Sequence, residues 1–300
     1  MHFPSSGNRR TASRLWGGVL FSLAIAVLAR GQALVFPNFT SSSGLTLTLP
    51  SATTTTSDGN VLRLVPATGN NAGAAFATTQ RTVTSGFSTA FDFRLTNPGG
   101  SSDGTAVGAD GFVFTIQHVG VSAIGASGEG MGFLNIGAAS IGVEFDTFQN
   151  ANRGDLDSNH IGIDLAGSVN SVVQTGAGAI TPAFDNGAKW SGWVDYNGTT
   201  LEVRVSTNGI RPTSPNLSYT INSAAMQTTL GGTAAFVGFT AGTGGAYANH
   251  DIVAWTFSDQ YVPGGVTAGL AVPEPGTSAL LAIGLGALGI GGRRRFKRAR

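Results

Sequence analysis

One stretch admits few folds: Glu144-Phe-Asp-Thr-Phe-Gln-Asn-Ala-Asn-Arg-Gly-Asp-Leu-Asp-Ser-Asn-His-Ile-Gly-Ile-Asp164. At its start Ile141, Val143, Phe145 and Thr147 alternate with Gly142, Glu144, Asp146 and Phe148. That period of two predicts a strand with Glu144 and Asp146 on one face. Turn-forming residues then interrupt the pattern, and His160-Ile-Gly-Ile opens a second apolar strand. Glu144, Asp146, Asn150, Asp155 and His160 are thereby expected to converge. Three carboxylates so close repel one another unless a cation neutralises them. Carboxylate and amide oxygens suit a hard ion such as Ca²⁺. A set that includes an imidazole suits Mn²⁺ or Zn²⁺. Asp146 and Asp155 could bridge two such ions. A polar surface loop would explain the acids alone, but not five candidate ligands in a strand–loop–strand frame.

The rest of the chain agrees with a β fold. Thr, Ser, Gly, Val and Phe dominate its middle in short alternating runs, and no long stretch there has helical periodicity. The expected fold class is all-β, in one sandwich domain over 34–262. Without cysteine there are no disulfides, so core packing and bound ions must stabilise it. The formal charge of +1 hides a division. Only seven of 17 Lys and Arg lie between Leu34 and Val262, against fifteen of 16 acids, which gives that span −8. Such a domain is a poor nucleic-acid binder.

Along the chain, Leu45–Leu49, Val61–Val65 and Phe87–Leu95 alternate as strands, and Asn97–Gly108 reads as a Gly- and Ser-rich loop. Ala109-Asp-Gly then opens an apolar strand to Ile116, where spacing alone allows Asp110 to be a turn residue or strand cap. Gly125–Gly137 is glycine-rich without the Lys-Ser/Thr of a phosphate loop. Trp190–Val205 reads as a hairpin turning at Asn197-Gly198, its aromatics expected in the core. Ala235–Phe257 reads as strand, loop and strand. His250 and Asp251, at a strand start, are expected to be structural.

Val143-Glu-Phe-Asp-Thr-Phe148, Asn150, Asp155 and His160-Ile-Gly-Ile-Asp164 resemble the metal-binding segment of the L-type, legume-like lectins. Ala109-Asp-Gly111 and Ala235–Phe257 resemble two further segments of that family. The resemblance implies a concanavalin-like jelly-roll β-sandwich. It implies a transition-metal site, Mn²⁺ by preference, of Glu144, Asp146, Asp155 and His160. Beside it would lie a Ca²⁺ site of Asp146, the Phe148 carbonyl, Asn150 and Asp155. It further implies that Asp110, often after a cis peptide in this family, accepts sugar hydroxyls. The glycine-rich loop would offer an amide, Gly132 matching better than Gly130. Phe148 would give an apolar wall, Asn150 would aim its amide outward, and Gly245 and Ala246 would touch the sugar. Ala246 has no polar side chain, so only its backbone can contribute.

Both ends read as export signals. Arg9, Arg10 and Arg14, the apolar Leu15–Ala29 and Gly31-Gln-Ala33 read as a signal peptide over 1–33. After a linker, 263–271, come Val272-Pro-Glu-Pro-Gly, a short apolar span and a basic tail to Arg300. Residues 272–300 resemble the bacterial PEP-CTERM sorting signal handled by an exosortase. That resemblance implies transient membrane anchoring and delivery to the envelope or outside, with extracellular polysaccharide as a partner. A glycosidase on the same sandwich is disfavoured, because Phe148 and Gln149 stand where laminarinase-like enzymes carry a second Glu. Glycoside cleavage needs two carboxylates. The expectation is a metal-dependent carbohydrate binder without enzymatic activity. The alternative is a surface or matrix protein whose lectin fold no longer binds sugar.

Overall fold

The computed structural model describes residues 1–2, 33–104 and 108–271. The expected signal peptide, Met1, His2 and Ala33 apart, and the sorting segment 272–300 lie outside the described residues. The strands, in chain order, begin with β1 (Ala33–Phe36), β2 (Leu45–Thr48), β3 (Ala52–Thr56), β4 (Gly59–Val65), β5 (Ala72–Ala77) and β6 (Arg81–Thr82). Then follow β7 (Phe87–Gly100), β8 (Gly111–Gln117), β9 (Ser140–Asp146), β10 (His160–Leu165) and β11 (Val173–Gln174). The last are β12 (Trp190–Tyr196), β13 (Thr200–Ser206), β14 (Leu217–Thr220), β15 (Ala234–Gly242) and β16 (Ala246–Ser258). A single α-helix among the described residues, α1 (Ser223–Leu230), is capped by the Asn222 side chain and closed by a left-handed Gly231.

Two antiparallel sheets face each other. The back sheet runs β14-β13-β12-β7-β16-β4-β3, with β1 also on β16. The front sheet runs β11-β10-β9-β8-β15-β5-β2, with β6 on β15. Alternation along each strand sends one side-chain set between the sheets. There Phe91, Phe93, Phe112, Phe114, Phe145, Phe239 and Trp255 form one buried cluster. Phe112 and Phe145 stack at 4.8 Å, and Phe91 meets Phe239 edge-on at 5.1 Å. Each such burial stabilises by roughly 1.5–3 kcal/mol.

The outer face of the front sheet is covered too. Met131, Phe133 and Ile136, from the glycine-rich segment, pack on Ala74, Phe76 and Val113. The expected Gly- and Ser-rich loop starts later than its composition suggests. β7 continues to Gly100, which pairs with Ala246, after a break in register near Asn97, whose φ is +56°. Residues 263–271, expected to be a linker, are instead largely laid along the outer face of the back sheet. Val266 is buried against Ala90 and Trp193. The Trp193 Nε1 donates to Val266 O at 3.0 Å, and Thr256 Oγ1 donates to Leu270 O at 3.0 Å. That strap buries Trp193 on the outer face of the back sheet, whereas Trp190 and Tyr196 of the same strand enter the main core.

Candidate functional site

Strand register brings the candidate residues to one end of the sandwich. Gly111 pairs with Asp146 on one side and Gly242 on the other, while Gly100 pairs with Ala246. The connections 101–110, 147–159 and 243–245 therefore open at the same end. The glycine-rich segment joins them, its Gly128 amide donating to Thr243 O at 3.0 Å.

The metal-type cluster is set by β9 and β10. Phe145 points inward, so its neighbours Glu144 and Asp146 face out, and the register places His160 opposite Asp146 and Gly162 opposite Glu144. Glycine at 162 leaves room for this group, since a Cβ there would lie 2.1 Å from Glu144 Oε1 and 2.0 Å from Ser171 Oγ and displace them. The loop returns Asp155 to the group, with Asn150 N donating to Asp155 Oδ2 at 2.6 Å. Ligand atoms of Asp146, Asp155 and His160 all lie within 4.8 Å of one another. Glu144 Oε1 is 3.3 Å from His160 Nε2.

The donor set fits a divalent cation. His160 Nδ1 lies 3.1 Å from the Asp157 carbonyl, an acceptor, so Nδ1 carries the hydrogen. That leaves Nε2 turned towards Glu144 and Asp155, buried and without a hydrogen bond. A carbonyl holding the far nitrogen in this way orients a ligating imidazole. Burial raises the pKa of Asp146 well above the usual carboxylate range, with Glu144 and Asp155 adding to it. Burial likewise lifts Asp155 to about 6. For His160 burial alone would act downward, but contact with Glu144 and the charges of Asp146 and Asp155 outweigh it and raise the group to about 9. The group thus takes up protons where a cation would otherwise supply positive charge.

Two participants were not singled out from the sequence. Ser171 Oγ lies 2.6 Å from Glu144 Oε1 and 3.0 Å from Asp164 Oδ1, and Asp164 is fully buried. Parity along β10 could have found Asp164, which shares a face with His160 and Gly162. Ser171 carries no local signal.

Asp110 stands beside this cluster. The Ala109–Asp110 peptide is cis, as the resemblance implied. Its amide donates to Gly242 O at 3.1 Å and its carbonyl accepts from Thr147 N at 3.0 Å, tying β15 to the metal loop. Its carboxylate is buried, and Oδ2 has no hydrogen-bond partner. Burial, then the charge of Glu129, raise Asp110 to about 7 against a backbone contact with Gly244 that lowers it. Phe148 and Asn150 are half-buried on the same loop, the Phe148 amide donating to Asp146 Oδ1 at 2.7 Å. Gly245 is exposed, its carbonyl accepting from Ser101 N at 3.0 Å, whereas the Ala246 side chain is buried on β16. The Gly132 amide donates to Ala126 O at 2.8 Å, so it is spent inside its own loop rather than offered outward. The Gly130 amide is directed to Ser127 O at 3.2 Å. Across the rim, Glu129 pairs with Arg153 and Asn152, another contact that sequence reading missed. His250 and Asp251 lie elsewhere: His250 is buried within the sandwich, and Asp251 pairs with Arg63 at 2.8 Å. Two hollows of about 360 and 390 Å³ open near residues 207–209, lined by neither Asp110 nor any member of the cluster.

Comparison with known proteins shows the fold and the family. The chain is 32% identical over 255 residues to the L-type lectin-domain containing receptor kinase SIT2 of Oryza sativa subsp. japonica, covering 76% of this chain and 36% of that protein. It is 31% identical over 180 residues to receptor kinase VIII.1 of the same type from Arabidopsis thaliana, covering 58% and 24%. It thus spans about a quarter to a third of the length of these curated relatives. Among solved structures, basic winged bean lectin with Tn-antigen superposes with a TM-score of 0.59 at 26% identity, covering 76% of this chain and 98% of that one. Winged bean acidic lectin complexed with methyl-α-D-galactose gives 0.58, also at 26%, with the same coverage. Residues 271–295 match the PEP-CTERM protein-sorting motif. Residues 32–267 match the legume lectin domain, and the chain belongs to that family.

Proposed function

We propose that the protein is an exported, metal-dependent carbohydrate binder whose sugar site is the lip formed by Asp110, Phe148, Asn150 and the Gly245–Ala246 backbone. The observation that carries this reading is Asp110, a buried carboxylate whose Oδ2 lacks a partner beside a cluster suited to cations. A buried acceptor left unpaired costs about 1–3 kcal/mol, a cost that a ligand hydroxyl would relieve. Glu144, Asp146, Asp155 and His160 would hold a transition ion, and Asp146, the Phe148 carbonyl, Asn150 and Asp155 a Ca²⁺. The ions would neutralise the acids and fix the 147–159 loop. The chain's own residues do the recognition. Asp110 accepts hydroxyl hydrogens, the Asn150 amide supplies a polar group, and the Phe148 ring covers a sugar C–H face. Each hydrogen bond adds only about 1 kcal/mol, so single sugars bind weakly and repeated ones gain by multivalency. The sorting motif supports export, exosortase processing and a polysaccharide partner outside the cell. Phe148 and Gln149, in place of a second acid, support binding without hydrolysis.

The test is a glycan array probed in Ca²⁺ and Mn²⁺ and again after chelation. Binding is expected to vanish on chelation and in a folded Asp110→Ala variant. The buried methyl of Ala246 favours one second reading, a matrix protein that binds no sugar. Metal-dependent stability with no glycan bound in either condition would select that reading.

A further inference from the structure

We propose that Glu129 is a specificity-determining residue that reserves the site for uncharged sugars, by filling a carboxylate seat made by Arg153 and Asn152 at the rim beside Asp110. This rests on the reading of Asp110 as a sugar acceptor.

The seat is visible because a carboxylate occupies it. Arg153 Nε donates to Glu129 Oε1 at 3.0 Å, Arg153 Nη2 donates to the same oxygen, and Asn152 Nδ2 donates to Oε2 at 3.2 Å. The guanidinium donors of Arg153 on a carboxylate make the strong class of hydrogen bond, and the Asn152 amide adds a neutral donor. Both donor residues belong to the loop between Asn150 and Asp155, and Glu129 comes from the facing 3-10 turn at Gly128–Gly130. The ion pair is also open to solvent, the Arg153 and Glu129 side chains being 25% and 32% exposed. A dissolved carboxylate could therefore reach the same donors.

The seat adjoins the proposed sugar acceptor. A Cβ on Gly244 would meet Gly128 Cα at 3.2 Å and Asp110 Oδ2 at 3.3 Å, so the turn bearing Glu129 and the Asp110 carboxylate flank one glycine. The Glu129 charge is felt at Asp110, while Arg153 holds the Glu129 carboxyl below its ordinary range and so keeps it ionised. Two consequences follow for an anionic sugar. Its carboxylate would have to displace one tethered in place, which competes at an effective concentration of about millimolar or more. It would also enter beside two like charges, the repulsive element on which discrimination often depends. A uronate differs from its parent hexose only by a carboxylate in place of the C6 hydroxymethyl. It is therefore the sharpest probe.

The experiment compares the full chain, in Ca²⁺ and Mn²⁺, with Glu129→Gln and the double variant Glu129→Gln/Arg153→Gln. The probes are an array of matched pairs, glucose against glucuronate and galactose against galacturonate, displayed multivalently. The wild type is expected to prefer the neutral member of each pair. In Glu129→Gln that preference is expected to fall about tenfold or to invert, with uronate binding that weakens as salt rises. The double variant is expected to lose the gain. Glu129→Ala serves if the glutamine variant fails to melt cooperatively. Neutral binding retained with an unchanged ratio in the variant, or a wild type that takes uronates as readily as hexoses, overturns this proposal alone. No glycan bound by the wild type and no uronate by the variant overturns it together with the sugar-site reading.

Discussion

Two buried polar groups in this sandwich invite comparison. One is the front-sheet cluster of Glu144, Asp146, Asp155, Asp164 and His160. The other lies on the back sheet, where Asp195 receives Arg211 at 2.6 Å and Arg204 at 3.6 Å, and Arg204 also holds Glu202 at 2.8 Å. Their central residues are equally hidden, Asp146 at 3% exposed and Asp195 at 1%. Both include atoms without hydrogen bonds, such as His160 Nε2 and Arg204 Nε. An unpaired atom therefore does not tell the two apart. Charge balance does: two acids meet two guanidinium groups on the back sheet, while four acids share one imidazole on the front. The first group can close on itself. The second needs a cation or protons.

The largest effect should come from breaking the balanced group. Asp195→Ala leaves two arginines with one acid, and removing one partner of a buried ion pair costs about 3–5 kcal/mol. Denaturant unfolding should show that loss equally with and without divalent ions. An ion-dependent loss would merge the two groups into one system. Next in size is the response to metal. Each of Ca²⁺ and Mn²⁺, at about a hundredfold over its dissociation constant, should stabilise the protein by about 2.7 kcal/mol, or roughly 5–11 °C in melting temperature. The same ions should do little for Asp146→Asn. An undiminished rise in that variant would place the metal elsewhere.

The smallest difference lies in pH. His160, raised to about 9, contributes stability that is full below its unfolded value near 6.5 and is lost as pH climbs to about 9. Asp110 and Asp155, raised to about 7 and about 6, act with the same sign as pH rises from about 4 to those values. Metal-free protein should therefore melt a few degrees lower at pH 8.5 than at pH 6.5, on the order of one or two pKa units of linkage. Bound ions should remove that fall. His250, lowered by burial to about 3, has the opposite sign, losing its contribution as pH drops from about 6.5. A metal-free melting curve that rises towards alkaline pH would contradict the assignment of protons to the front cluster.

The same contrast explains what could be read from the sequence. The front cluster was legible because Glu144 through His160 occupy one strand, one loop and the next strand, so alternation and spacing bring them together locally. The strands bearing the Phe residues were legible for the same reason. Other contacts depend on partners that only the fold supplies. Arg153 and Glu129 come from separate loops, and Ser171 reaches Glu144 from 27 residues away. The Gly132 amide looked available because a glycine-rich run does not reveal which of its own carbonyls will turn inward. Pro263-Gly-Gly suggested a free linker, yet Val266 finds Trp193, whose outward side is apparent only once the hairpin's register is known.

That strap has a mechanical consequence. Its last anchored carbonyl, on Leu270, immediately precedes the sorting motif that starts at 271. The domain thus has almost no slack between its folded body and its address label. Any load on the tail arrives first at Thr256 and then at Trp193, one fastening after another, as when tape is lifted from its end. The Asp110 lip, on the other sheet, carries none of that load until the fastenings have gone.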